Sequence, residues 1–354
     1  MKKTKIIFIV PDLNSGGSQK FLLNLMNQLD DKKFDLYLFP KRFTGNFVEF
    51  IPRNVQILNF SNLSVLKSAS TLYGILKTYK PDFTFSVLNR TNLLNIICSK
   101  LFFFNHKIII RESNSPINQL NNNSIPKLQL FMGKIIYHFS DYVISQTDEM
   151  REDILNFYYL NPKKVLTIGN LINNKNLSRL STELNPFDKN TFNIVAVGRL
   201  EKQKGYDLLL NSLKVLSLTI QKFHCYICGE TETEYSKHIY KLTNDLNLTN
   251  NITFVGYTSN PYKYIVNANV FILTSYFEGL PNVILEARFL RVPIVVTNTL
   301  KIYYDIISKT DGFITSFDEN EIAEALIKSK KLTPKPYVNS TIKEFEKLFL
   351  CLEE

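Results

Sequence analysis

The chain has 354 residues, with 42 basic and 32 acidic side chains giving a net charge of +10. Hydrophobic residues make up 45% and charged residues 21%, which excludes a disordered chain, and no apolar run reaches the about 18–20 residues a bilayer-spanning helix needs. The length suits two domains of about 100–200 residues each, and the positive balance fits a nucleic acid, a phosphorylated substrate or an anionic membrane as partner.

The opening residues imitate the charged and apolar regions of a signal peptide, but Pro11-Asp12 stops the apolar run and no small-residue cleavage site follows. The segment 5–10 therefore reads as a first strand. A helix from about 19 to 29 follows, then strand candidates at 34–39, 55–60, 82–87, 107–111, 142–145 and 165–168. These runs are nearly continuous in apolar residues, the pattern of parallel strands covered on both faces. The polar stretch 173–190 reads as a linker. The rhythm restarts at 192–197, 223–228, 252–255, 270–273, 293–296 and 313–314, with helical periodicity at 206–219 and 235–246. Two strand–helix series predict two doubly wound α/β domains, 1–172 and 191–335, with ligands beyond the carboxyl ends of the strands and in the cleft where the domains face one another. The amphipathic tail 336–354 has no strand after it and fits a helix that crosses back to the first domain.

Cys225 and Cys228 have metal-ligand spacing, but they sit in one apolar run with no second pair, which reads as packing in a strand. No metal site is expected, and the four cysteines are expected to be reduced thiols in a cytoplasmic protein. Leu101 to Phe104, with Lys100, Lys107, Lys127 and Lys134, combines aromatic and basic residues suited to an anionic interface; the preferred reading puts these phenylalanines in the core and the lysines on a solvated face.

Three segments carry candidate chemistry. Residues 276–287 read Tyr-Phe-Glu-Gly-Leu-Pro-Asn-Val-Ile-Leu-Glu-Ala. Pro281 suits the first turn of a helix, leaving Glu278 on the preceding loop and Glu286 about one and a half turns in. Gly279 lets a ligand approach the backbone, and the amides of Leu280, Asn282 and Val283 would form an anion site. The second segment, Gly198-Arg199-Leu200-Glu201-Lys202-Gln203-Lys204-Gly205, follows the first strand of the second domain. Its Arg199 and Lys204 offer a planar fork and a mobile point charge for phosphate oxygens. The third, Asn14-Ser15-Gly16-Gly17, joins the first strand to the first helix and allows a phosphate or sugar to sit against bare backbone. It lacks the spacing of a dinucleotide fingerprint or a Walker loop.

Taken together, these segments resemble the retaining glycosyltransferases of family 4. Gly229-Glu230 after a strand and Val255-Gly256-Tyr257 before Asn260-Pro261-Tyr262 stand in the family's order. The likeness is strong over 192–297 and looser over the first 170 residues, and it is greatest to members that build bacterial surface polysaccharides and glycan-linked lipids. The resemblance implies a GT-B fold, two Rossmann-like domains facing across a cleft, and transfer of a sugar from a nucleotide diphosphate donor to a hydroxyl with retained configuration. It implies a UDP-hexose or UDP-N-acetylhexosamine donor, a glycan or lipid-linked acceptor, no cofactor, no nucleic acid, and a site on the cytoplasmic side, at the inner face of the membrane. By the same analogy, Arg199 and Lys204 hold the leaving diphosphate, Glu286 the ribose and Glu278 the sugar, while Gly16, Gly17, Gly198, Glu230, Tyr257, Gly279, Leu280, Pro281, Asn282 and Val283 border the donor. No Asp-x-Asp pair occurs, in keeping with metal-independent chemistry. Members commonly place a histidine on the first-domain loop; here the stretch is Arg111-Glu112-Ser113-Asn114, so Asn14, Arg111, Ser113 and Asn114 are the candidates for the acceptor or sugar side. Two other readings are a sugar-nucleotide epimerase or phosphorylase of the same fold, which would form product without an acceptor hydroxyl, and a non-catalytic glycan-binding partner of an active transferase.

Overall fold

The computed structural model describes residues 2–14, 16–121, 126–188, 190–230, 234–337 and 341–351. The chain divides into two compact units: Met1–Asn173 together with Asn339–Glu354, and Asn174–Val338.

The strands of the first unit are β1 (Thr4–Val10), β2 (Phe34–Pro40), β3 (Val55–Ile57), β4 (Phe83–Val87), β5 (Lys107–Arg111), β6 (Tyr142–Ser145) and β7 (Val165–Thr167). They form one parallel sheet in the order β3-β2-β1-β4-β5-β6-β7. Its helices are α1 (Gly17–Gln28), α2 (Val65–Tyr79), α3 (Asn89–Leu101), α4 (Pro116–Asn121), α5 (Lys127–Ile136) and α6 (Asp148–Tyr158). Period-two alternation sends Ile6, Phe8 and Val10 to one face, packed with Phe21 and Leu25 of α1, and Ile7 and Ile9 to the other, against Leu72 and Leu76 of α2. Both faces are covered, which is why these strands read as continuous apolar runs.

The second unit contains α7 (Asn174–Leu180), β8 (Phe192–Val197), α8 (Tyr206–Ser217), β9 (Phe223–Cys228), α9 (Glu234–Asp245), β10 (Ile252–Gly256), α10 (Tyr262–Asn267) and β11 (Val270–Leu273). It continues through α11 (Asn282–Phe289), β12 (Ile294–Thr297), α12 (Tyr303–Ile306), β13 (Gly312–Thr315) and α13 (Glu319–Ser329). The sheet is parallel, in the order β10-β9-β8-β11-β12-β13. Its chain order reverses between β8 and β11, and loops at the carboxyl ends of those strands are where such sheets bind ligands.

The stretch 173–190 is not a bare linker. It holds α7 and from Asn174 on belongs to the second unit: the Asn260 amide donates to the Leu180 carbonyl at 3.0 Å, and the Phe187 ring lies 4.4 Å from that of Tyr226. The last helix, α14 (Ile342–Cys351), lies in the first unit, where Phe345 and Phe349 are fully buried beside Phe21, Phe83 and Phe85.

Candidate active site

At the carboxyl edge of the second sheet, backbone hydrogen bonds lace the loops together. The Gly198 amide donates to the Cys228 carbonyl, Leu200 to Glu230, Gly229 to Gly256, and Tyr276 to Gln203, at 2.8–3.0 Å. The Tyr206 hydroxyl donates to the Gly198 carbonyl at 2.7 Å. Gly205 closes a 3-10 turn over Lys202–Lys204 with φ +62°, and a Cβ there would lie 2.1 Å from the Thr274 carbonyl oxygen. At Gly229 a Cβ would lie 1.9 Å from the Gly198 oxygen. Glycine is required at both points because the crossing atoms are backbone.

This scaffold brings Lys204 to Glu278, with Nζ 2.6 Å from Oε1, although 74 residues separate them in sequence. The Ser275 hydroxyl donates to the same carboxylate oxygen at 2.7 Å. The two side chains are 17% and 7% exposed, so the pair is only slightly screened by water. Arg199 sits differently: it is half exposed and its Nη1 pairs with Glu201 Oε1 at 2.8 Å. Pro281 is the N-cap of α11 rather than its first helical residue, which puts Glu286 just over one turn in. Glu286 is buried, 1% exposed. Asn282 and Leu280 are buried, while Glu230 and Tyr257 are exposed at the ends of β9 and β10.

In the first unit the carboxyl end of β1 leads to Gly16, the N-cap of α1. Asp12 organises this turn: it accepts from the Asn14 amide at 3.3 Å, from Gln19 Nε2 at 3.2 Å and from Arg42 Nη2 at 2.8 Å. Ser15 lies outside the described residues. The Ser18 and Ser113 hydroxyls are 2.5 Å apart, joining this turn to the loop after β5. Asn14 and Gly17 are exposed, and Asn114 is half-buried, its carbonyl accepting from Gln119.

Arg111 corrects one sequence-based expectation. Its side chain is 1% exposed, its guanidinium lies 3.7 Å over the Phe21 ring and Nη2 donates to Asn170. It fills the space between β5 and α1 and is closed to a sugar or acceptor. Burial pushes it down to about 9.

Its neighbour Glu112 is equally buried on the opposite parity, accepting a hydrogen bond from the Tyr137 hydroxyl. Burial raises its carboxyl to about 7, outweighing the hydrogen bonds from Tyr137, Gln119 and Asn92 and the charge of Arg111. The native carboxyl thus keeps its proton up to about pH 7, whereas the unfolded one loses it near 4.5. The native state binds more protons between those values, so stability falls as pH rises through that window. We expect Glu112→Gln to flatten this decline, by up to about 3 kcal/mol between pH 5 and 8; urea midpoints at the two pH values for both proteins check it.

Sequence reasoning missed Leu88. It follows β4 and is the N-cap of α3, beside the point where the first sheet reverses its strand order, and holds φ +71° and ψ 138°, a costly conformation for a residue other than glycine and one that clusters at ligand sites. Nothing in a lone leucine signals this. The expectation that the phenylalanines of 101–104 lie in the core fails for Phe102 and Phe103, 44% and 92% exposed, and holds for Phe104, which packs against a core cluster. Cys225 and Cys228 are buried in β9, and burial pushes the Cys228 thiol up to about 12, so neither carries a thiolate at neutral pH.

Two consecutive parallel-sheet Rossmann-like units, with ligand loops at the carboxyl ends of their strands, make up a GT-B fold, and solved structures agree. The crystal structure of Anabaena HepE in complex with UDP and glucose aligns with a TM-score of 0.75 at 16% identity, over 93% of this chain and 90% of that one. Residues 182–339 match the model of the glycosyl transferases group 1. It is 29% identical over 246 residues to an uncharacterized glycosyltransferase of Methanocaldococcus jannaschii, covering 66% of this chain and 60% of that protein. It is 25% identical over 305 residues to a Campylobacter jejuni N-acetylgalactosamine-N,N'-diacetylbacillosaminyl-diphospho-undecaprenol 4-alpha-N-acetylgalactosaminyltransferase, over 83% of this chain and 80% of the relative.

Proposed function

We propose that the chain transfers a hexosyl or N-acetylhexosaminyl group from UDP to a hydroxyl of a lipid-linked glycan at a membrane face, keeping the anomeric configuration and using no divalent metal. The observation that carries this reading is the Lys204–Glu278 pair at 2.6 Å, beside the reversal point of the second sheet. Breaking the bond between the anomeric carbon and the diphosphate oxygen leaves negative charge on the phosphate and a cationic sugar. An ammonium and a carboxylate held side by side match that charge separation, the ammonium turned to the diphosphate and the carboxylate to the sugar. Groups fixed in place before the charge develops need no reorganisation as it does. Arg199 adds a second cation once it leaves Glu201, and the loop amides near Gly279 and the start of α11 add partial positive charge. Glu286 is the group assigned to the ribose. The UDP in the HepE structure and the diphospho-undecaprenol-linked sugar in the Campylobacter relative's name support the choice of donor and acceptor class.

The test is a panel of UDP-sugars offered with and without undecaprenyl-diphosphate-linked saccharides. One donor should release UDP only when acceptor is present, its rate unchanged by a chelator, and the product's new linkage should have the donor's anomeric configuration by NMR. UDP release or an altered sugar without acceptor would favour an epimerase or phosphorylase and overturn this reading; an inverted linkage would remove retention.

A further inference from the structure

The first unit turns an apolar stripe to solvent. Leu128, Phe131 and Ile135 of α5 and Phe139 just beyond it are 71%, 54%, 69% and 55% exposed. Their spacing of three, four and four residues places them along one side of the helix. The opposite side is pinned: Leu130 and Gly133 are buried, and a Cβ on Gly133 would lie 2.7 Å from the Tyr158 ring. The helix is therefore seated by its glycine and cannot roll to bury the stripe. Helix α3 packs against α5 and adds Ile97 and Leu101, four residues apart and 39% and 64% exposed, with Phe103 just beyond at 92%. Contiguous exposed apolar area of this kind marks an interaction surface.

Its charge indicates the partner. Residues 89–101 and 127–139 carry Arg90, Lys100, Lys127 and Lys134 and no aspartate or glutamate. The Lys134 ammonium lies 4.6 Å over the Phe157 ring and 5.4 Å over that of the exposed Tyr159, which keeps a cation level with aromatic side chains. Aromatic and aliphatic tips flanked on α3 and α5 by cations, with the acidic residues Asp148, Glu149, Glu152 and Asp153 on the neighbouring α6, suit the boundary between anionic headgroups and acyl chains. A second protein would bring its own carboxylates to only four cations, whereas a lipid surface supplies both the apolar layer and the diffuse negative charge.

We propose that α5 and the end of α3 seat this protein on anionic phospholipid, with Leu128, Phe131, Ile135 and Phe139 entering the acyl boundary. The inference names the surface for the membrane-face reading above and rests on it; vesicle binding is therefore measured without donor or acceptor, so that the two can fail separately. The full chain should cosediment with vesicles of phosphatidylcholine containing about one third phosphatidylglycerol, and far less with phosphatidylcholine alone. Phe131→Ser/Ile135→Ser should weaken this partitioning by tenfold or more, on the order expected for two lost apolar anchors, and Lys127→Ala by about fivefold. Both variants should keep the parent's circular dichroism melting point, since the changed groups are exposed. Equal sedimentation of parent and variants would overturn the proposal. So would a dimer in lipid-free solution that the double substitution dissolves while vesicle binding is absent, because a second copy would then own the face.

Discussion

Lys204→Met should lower turnover by about 10²–10³-fold, the scale for losing one group that stabilises charge in the transition state. Methionine keeps the stem of the side chain, which runs beside Gly198, and removes the ammonium. The alternative is that the 2.6 Å pair with Glu278 is structural. The two cases separate because removing one partner of a buried pair strands the other charge, whereas removing both leaves no stranded charge. If the ammonium acts on the departing diphosphate, Lys204→Met/Glu278→Gln stays at least as slow as Lys204→Met, though its melting point recovers. If the pair only holds the loops, the double variant regains turnover together with stability. Initial rates of UDP release set beside thermal midpoints for the four proteins of this cycle decide, and recovered turnover would sink the leaving-group role.

How far the sequence reveals these features depends on whether one rule or two competing rules govern the residue. Strands 107–111, 142–145, 192–197, 223–228 and 270–273 coincide with those read from apolar runs, because a short β-branched run between polar turns has one stable use in a two-sided sheet. The nearness of Lys204 to Glu278 followed from topology, since both loops leave the carboxyl edge where strand order reverses. Arg111 was misread although parity was informative: Ile109 faces the α1 side and Ile108 and Ile110 the other, so Arg111 had to follow Ile109 beneath Phe21. Helix α5 was opaque for a different reason. It is apolar on both sides, and periodicity cannot say which one is buried; Gly133 against Tyr158 settles it, and that contact joins residues 25 apart. The interval 173–190 looked like a linker because its composition is polar, yet one aromatic, Phe187, anchors it.

Phe349→Ala should cost about 3–5 kcal/mol of stability, the range for truncating a fully buried phenylalanine. The ring is 0% exposed and lies 6.1 Å from Phe34, 5.5 Å from Phe83, 6.1 Å from Phe85 and 6.5 Å from Phe345. Phe345 in turn stands 5.5 Å from Phe21 of α1. Apart from Phe345 on α14 itself, these rings belong to β2, β4 and α1 of the first unit, so α14 closes that core from the far end of the chain, after 165 residues that form the second unit. Three of the neighbouring rings, Phe34, Phe83 and Phe85, are fixed on strands, which favours a cavity term that persists rather than relaxes. Leu350→Ala, at a residue 37% exposed, serves as the control on the same helix and should cost well under half as much. Urea denaturation followed by circular dichroism reads both, and a multi-unit chain need not unfold in one step, so the transition that shifts identifies the unit α14 supports. Phe349→Ala no worse than Leu350→Ala would mean the helix rests on the surface, and the seam of phenylalanines would then need another explanation.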